Sequence, residues 1–81
     1  MKKEEIISTA NLLCEQIAMI GFNANLEVNH FFNRIMIYVF DSGSNILLKI
    51  DTPFTKSNIR LHKEITDKLI GFINQHKKQS A

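Results

Sequence analysis

Residues 35–40, with the sequence Ile-Met-Ile-Tyr-Val-Phe, constrain the fold more than any other part of this chain. All of these side chains are apolar or aromatic, and the polar turn residues at 41–45 follow directly. A short run of β-branched and aromatic residues bounded by a turn is typical of a strand with both faces at least partly covered. We therefore predict that residues 35–40 form the middle strand of a sheet.

Two further strands are predicted on either side of this segment. Residues 26–32 alternate between apolar and polar side chains, and Asn33-Arg34 then leaves a two-residue hairpin turn that would place Phe32 opposite Ile35. Residues 41–44 can form a second hairpin loop, which places Phe40 opposite Asn45 and makes residues 45–51 the third strand. Both registers keep the same faces together, so a three-stranded antiparallel meander is expected.

Helices are predicted at both ends. Residues 3–20 carry apolar side chains at spacings of three and four, and Gly21 follows at the position of a left-handed C-cap. A second apolar stripe predicts a helix over residues 57–76, capped by Thr55, Ser57 or Asn58, and residues 77–81 are expected to fray. The chain is thus expected to be a single α+β domain over residues 1–81, a two-layer α-β-β-β-α fold with both helices packed on one face of the meander.

The two faces of the predicted sheet differ in character. The core side is expected to carry Leu26, Val28, His30, Phe32, Ile35, Ile37, Val39, Ile46, Leu48 and Ile50. The other side keeps an apolar cluster rimmed by Glu27, Lys49 and Asp51, and its members are Phe31, Met36, Tyr38, Phe40 and Leu47. A contiguous apolar patch with a polar rim usually marks an interface, so we expect a homodimer contact or a docking surface for a larger protein.

Nucleic-acid binding is the alternative interpretation. Aromatic side chains on a sheet can stack bases, although only Lys49 and Arg34 would stand nearby to contact phosphates. Lys56, Arg60 and Lys63 would line one face of the second helix, and the element order resembles that of double-stranded-RNA-binding domains. That resemblance implies phosphate contacts from the start of the last helix. The double-lysine signature of those domains is absent here, and a two-residue first hairpin would replace their longer loop.

The sequence argues against catalysis. It contains no carboxylate pair, nucleophile with an adjacent base or dinucleotide fingerprint, and no metal site or cofactor is expected. Cys14 lies on the apolar stripe of the first helix, where a buried small hydrophobe is expected. A single cysteine and no signal peptide favour the cytoplasm, and the abundance of Ile, Asn, Lys and Phe favours an AT-rich bacterial or phage genome. The sequence thus predicts a small non-enzymatic protein-binding module of the adaptor, accessory or inhibitor type.

Overall fold

The computed structural model describes residues 2–55 and 57–80, and the side chains of that part through residue 77. It contains, in chain order, α1 (Lys3–Met19), β1 (Asn23–Asn29), β2 (Arg34–Phe40), β3 (Ile46–Pro53) and α2 (Ile59–Ser80). The strands form an antiparallel sheet of order β1-β2-β3, so the predicted meander is confirmed. The fold is the predicted α+β arrangement, with β2 in the middle of the sheet.

A single hydrophobic core lies between the sheet and the helices. Ile35, Ile37 and Val39 on β2 are 0% exposed, as expected for the core side of the central strand. The core cluster joins them to the apolar stripes of both helices, which shows that α1 and α2 cover the same face. Its helical members are Ile6, Ala10, Leu13, Cys14 and Ile17 from α1 and Leu61, Ile65, Leu69, Phe72 and Ile73 from α2.

The end of α1 is closed by the predicted glycine cap. Gly21 has a φ of +100°, which a glycine adopts without steric cost. The N–H of Phe22 donates to the carbonyl of Ile17 at 3.3 Å, and the N–H of Gly21 donates to that of Ala18 at 3.1 Å. These bonds form a Schellman motif. The ring of Phe22 then packs edge-on against Phe72 at 5.1 Å, which ties the end of α1 to α2.

The first hairpin differs from the prediction in its loop and register. The loop comprises residues 30–33, and Asn29 lies opposite Arg34, so the pairing is shifted by four residues from the predicted one. Two hydrogen bonds hold this loop: the Asn29 side chain accepts the N–H of Phe32 at 2.9 Å, and the carbonyl of Asn33 accepts the N–H of Phe54. Asn33 itself has a φ of +56°. Pairing therefore extends over the whole of β2, and β1 begins three residues earlier than residue 26.

This shift removes several residues from the sheet. Phe31 and Phe32 lie in the loop and are 88% and 67% exposed, and His30 is exposed beside them. The prediction that His30 and Phe32 face the core is wrong, because both residues lie in the loop that follows Asn29, the last residue of β1. The faces of the paired residues are nevertheless as predicted, since a shift by an even number of residues keeps each side chain on its side of the sheet.

The second hairpin is closed around Asp41. Its carboxylate accepts the N–H groups of Gly43 and Asn45 at 2.9 Å each, and these hydrogen bonds, led by that from Asn45, lower the pKa of Asp41. Tyr38 consequently lies opposite Lys49 rather than Leu47, and a β-bulge follows at the end of the pairing. Ile46, predicted on the core side, is instead paired with Phe40 and is 56% exposed, because the bulge at Leu47 shifts the register by one residue.

The start of α2 is held by a reciprocal pair of hydrogen bonds. Thr55 Oγ1 accepts the N–H of Asn58 at 3.1 Å, and Asn58 Oδ1 accepts the N–H of Thr55 at 2.6 Å. Both residues were among the predicted caps. The backbone of α2 is helical through Ser80, beyond the predicted end at residue 76, whereas Ala81 lies outside the described residues.

Candidate protein-binding face

The sheet surface opposite the helices is called the open face here. Its centre is the even-numbered part of β2, where Met36, Tyr38 and Phe40 are each only half-buried. Leu47 lies at the bulge at one end of this surface and is exposed. Three of the five predicted interface residues therefore form an apolar stripe along the centre of the open face, namely Met36, Tyr38 and Phe40, and the exposed Leu47 lies at the bulge beside its Phe40 end.

Phe31 is the predicted interface residue that the structure moves elsewhere. It lies at the tip of the first hairpin, where its ring contacts that of Phe32 edge-on at 4.9 Å. The predicted pairing of Phe31 with Met36 is wrong because Glu27 occupies that position. The apolar stripe is therefore narrower than the sequence indicated, and the aromatic tip is a separate feature.

The two aromatic rings of the stripe stack on each other, and a lysine lies close to one of them. Tyr38 and Phe40 stack with their centroids 6.3 Å apart, and Lys49 Nζ lies 5.9 Å from the centroid of Tyr38. A lysine at that distance from an aromatic face is attracted to its quadrupole, and its aliphatic part extends the apolar surface. Tyr38 thus has both an aromatic and a cationic neighbour at the centre of the open face.

An ion pair lies at the end of the open face that is next to the first hairpin. Arg34 Nε and Nη2 both lie 3.0 Å from Asp51 Oδ1, and both side chains are partly exposed. This geometry orients the guanidinium and lets each charge offset the other. The end of the stripe near Met36 is thus polar but locally neutral.

Sequence reasoning missed the polar border that β1 contributes. Asn23 and Asn25 were assigned to a connection, but they pair with Phe40 and Tyr38, and Glu27 follows on the same side. The signal was present, since the segment Asn-Ala-Asn-Leu-Glu-Val-Asn already alternates from residue 23. The apolar stripe is therefore flanked along one side by exposed amides and one carboxylate.

The predicted basic stripe is only partly described. Arg60 and Lys63 are exposed in the first turns of α2, whereas Lys56 lies outside the described residues. Lys63 Nζ donates to Asp67 at 2.7 Å, a bond that raises the pKa of Lys63 and offsets its charge. The chain just before α2 contacts the first hairpin, because the N–H of Phe54 bonds the carbonyl of Asn33.

The remaining titratable side chains are dispersed. Cys14 is buried, and burial raises the pKa of its thiol. His62 Nε2 lies 3.3 Å from Thr9 Oγ1, and the ring of His76 packs against Phe72. Within residues 2–55 and 57–80, no group of three or more His, Cys, Asp or Glu side chains could hold a metal ion. No helix in this part of the chain has the length and apolar character needed to cross a bilayer.

Comparisons with models of protein families, with curated proteins and with solved structures find no match to this chain. The class of protein that the fold defines is a small two-layer α+β domain. Its function must therefore be argued from the open face itself.

Proposed function

We propose that this chain is a small non-enzymatic protein-binding module that docks onto a larger protein through its open face. The observation that carries the proposal is the partly exposed stripe of Met36, Tyr38 and Phe40 opposite the helices. Interface centres are enriched in Tyr, Phe and Met and depleted of charge, and their rims are polar. An adaptor or inhibitor acting in the cytoplasm of a bacterium, including one infected by a phage, fits this character.

The proportions of the open face favour a different protein over a second copy as its occupant. Obligate homodimer interfaces are large and resemble a core cut in half. Here the apolar stripe occupies one strand and widens onto β3 only at Ile46, opposite Phe40; it is bordered by Asn23, Asn25 and Glu27 on one side and by Lys49 on the other. Such a mixture is typical of an interface between proteins that also exist apart.

Replacement of Tyr38 by Glu tests the proposal. A partner would be isolated from the native host with the tagged wild-type chain, purified, and titrated against the variants by calorimetry. Tyr38→Glu should raise the dissociation constant at least ~30-fold, because it places a charge at the centre of the interface and removes an aromatic anchor. Asn74→Glu, which adds the same charge on the exposed side of α2, should leave the dissociation constant unchanged.

Two results would contradict the proposed occupant. Equal affinities of the wild type and Tyr38→Glu would remove the open face from the interaction. A wild-type dimer in light scattering that Tyr38→Glu converts to monomer would instead identify a second copy as the occupant.

Duplex RNA binding is the second candidate. Arg60 and Lys63 are exposed in the first turns of α2, and the first hairpin has a four-residue loop, which is longer than the sequence indicated. This arrangement supports the resemblance to double-stranded-RNA-binding domains, which contact RNA through a loop and the start of the last helix. Salt-sensitive binding to an RNA duplex that is lost in Lys56→Glu/Arg60→Glu/Lys63→Glu but kept in Tyr38→Glu would replace the docking proposal.

A further inference from the structure

The outer edge of β1 is open, and apart from the single charge of Glu27 it lacks the features that usually protect an edge strand. Within the part of the chain that the structure describes, β1 pairs only with β2, in an unbroken register over its seven residues. Its sequence contains no proline, lysine or glycine. Edge strands normally carry a bulge, a proline or an inward charge that discourages pairing with another chain.

The opposite edge of the same sheet has such protection. β3 has a bulge next to Ile46, carries Lys49 at its middle and ends at Pro53, which has no N–H to donate. The two edges of this sheet therefore differ, and β1 is the one suited to accept another strand.

The side chains of β1 are complementary to those of a second, antiparallel β1. With Leu26 opposite Leu26 of the second copy, Asn25 faces Glu27, Ala24 faces Val28 and Asn23 faces Asn29. Each amide–carboxylate pair allows Asn25 to donate a hydrogen bond to Glu27 of the other chain. On the helix side, Ala24, Leu26 and Val28 pack against the core but stay only partly buried, so pairing would cover apolar surface that is now wet.

The neighbouring pairing registers of two β1 strands are less favourable than the one centred on Leu26. Side chains keep to their own face only when the centre of symmetry lies on a residue, so the alternatives are centred on Asn25 or Glu27. Centring on Glu27 sets two carboxylates directly opposite each other, which is destabilising. Centring on Asn25 leaves Val28 and Asn29 outside the paired segment, whereas centring on Leu26 pairs all seven residues.

We propose that a second copy of this chain pairs with β1 in antiparallel orientation about Leu26, which joins two three-stranded sheets into one of six strands. A two-fold axis perpendicular to the sheet puts both open faces on the same side. This inference is independent of the proposed function, because it uses the edge of β1 and leaves the apolar stripe on β2 uncovered.

A cysteine on the symmetry axis gives the direct test. Opposite residues of antiparallel strands have Cα atoms about 4.5–5.5 Å apart, within the range that a disulfide spans. Leu26→Cys in a Cys14→Ala background should therefore form a covalent dimer under mild oxidation. Val28→Cys in the same background is the matched control, since its two copies would be about 14 Å apart along the strands.

Charge substitutions at Asn25 and Glu27 supply the second test. Asn25 is exposed, so its replacement leaves the core intact. Asn25→Asp places two like-charge pairs across the axis and should raise the dimer dissociation constant about tenfold. Asn23→Asp, with the same net charge but facing Asn29, should have little effect. Adding Glu27→Lys to Asn25→Asp should restore the dimer, since opposite charges then face each other.

Light scattering and the crosslinking yield decide the outcome. A monomer at all accessible concentrations together with no excess of Leu26→Cys crosslinking over Val28→Cys overturns the proposal. A dimer that dissociates with Tyr38→Glu but is indifferent to Asn25→Asp overturns it as well, because that dimer would be joined through the open face. Dimerisation that survives Tyr38→Glu separates this edge contact from the docking function.

Discussion

Two glycines in this chain have opposite conformational roles. Gly21 closes α1 with a φ of +100°, whereas Gly71 lies within α2, and a Cβ added at either position would meet no atom within 4 Å. Any effect of adding that Cβ therefore comes from the backbone and not from a clash. Substitutions at Gly21 and Gly71 therefore separate the cost of a left-handed backbone conformation from the effect of helix propensity.

Alanine at each position should change the free energy of unfolding in opposite directions. Gly21→Ala should destabilise the protein by about 1 kcal/mol, because the left-handed region disfavours a Cβ. Gly71→Ala should stabilise it by about 0.5–1 kcal/mol through higher helix propensity. Urea denaturation monitored by circular dichroism measures both changes, and effects of the same sign would contradict this account.

The local sequence predicted the place of some positive-φ residues but not of others. The cap at Gly21 follows from local sequence, because the residue types and their order determine it. Asn33 was predicted to lie in a two-residue turn, but it adopts its positive φ at the end of a four-residue loop. Its place depends on a bond from Phe54, which is distant in sequence.

At the scale of elements, alternation specifies faces but not registers. Sliding a strand by two or four residues leaves every side chain on the same side of the sheet, so the apolar pattern is equally satisfied. Both hairpins show this: the first pairing is shifted by four residues and the second by two, and the faces of the paired residues are unchanged except at Ile46, where the bulge shifts the register by one. The choice among registers is made by loop hydrogen bonds around Asn29 and Asp41. The open face was therefore predictable, whereas the removal of Phe31 from it was not.

Mutations in the first hairpin distinguish the two registers. Phe31→Ser/Phe32→Ser should change the free energy of unfolding by less than about 0.5 kcal/mol, because both rings are exposed in the loop. Ile37→Ala should cost about 2–5 kcal/mol, since its side chain is fully buried on β2. A loss comparable to that of Ile37→Ala in the double variant would favour the register that places Phe32 opposite Ile35.

At the scale of the whole molecule, the helices run in the same direction along the sheet. Lys3 Nζ lies 5.3 Å from the ring of Phe54 at one end, and Phe22 contacts His76 at the other. Parallel helices on one face enclose a continuous core, and Cys14 lies within it. Access to this thiol therefore requires opening of the packing between α1 and the rest of the molecule.

Thiol labelling should report that opening. In native buffer Cys14 should react with an aromatic disulfide reagent about a thousandfold or more slowly than an exposed thiol, because only opened molecules react and burial also raises the pKa of the thiol. Ser8→Cys with Cys14→Ala supplies the exposed reference on the same helix. Labelling of Cys14 should accelerate with urea, and equal rates in native buffer would refute a closed core.

The position of Tyr38 has a spectroscopic consequence. The chain contains one tyrosine and no tryptophan, so its intrinsic fluorescence under tyrosine excitation originates at the centre of the open face. The emission of the unlabelled protein is thus a local probe of that surface. Binding of a partner that contains neither tryptophan nor tyrosine and that covers the stripe would change this emission.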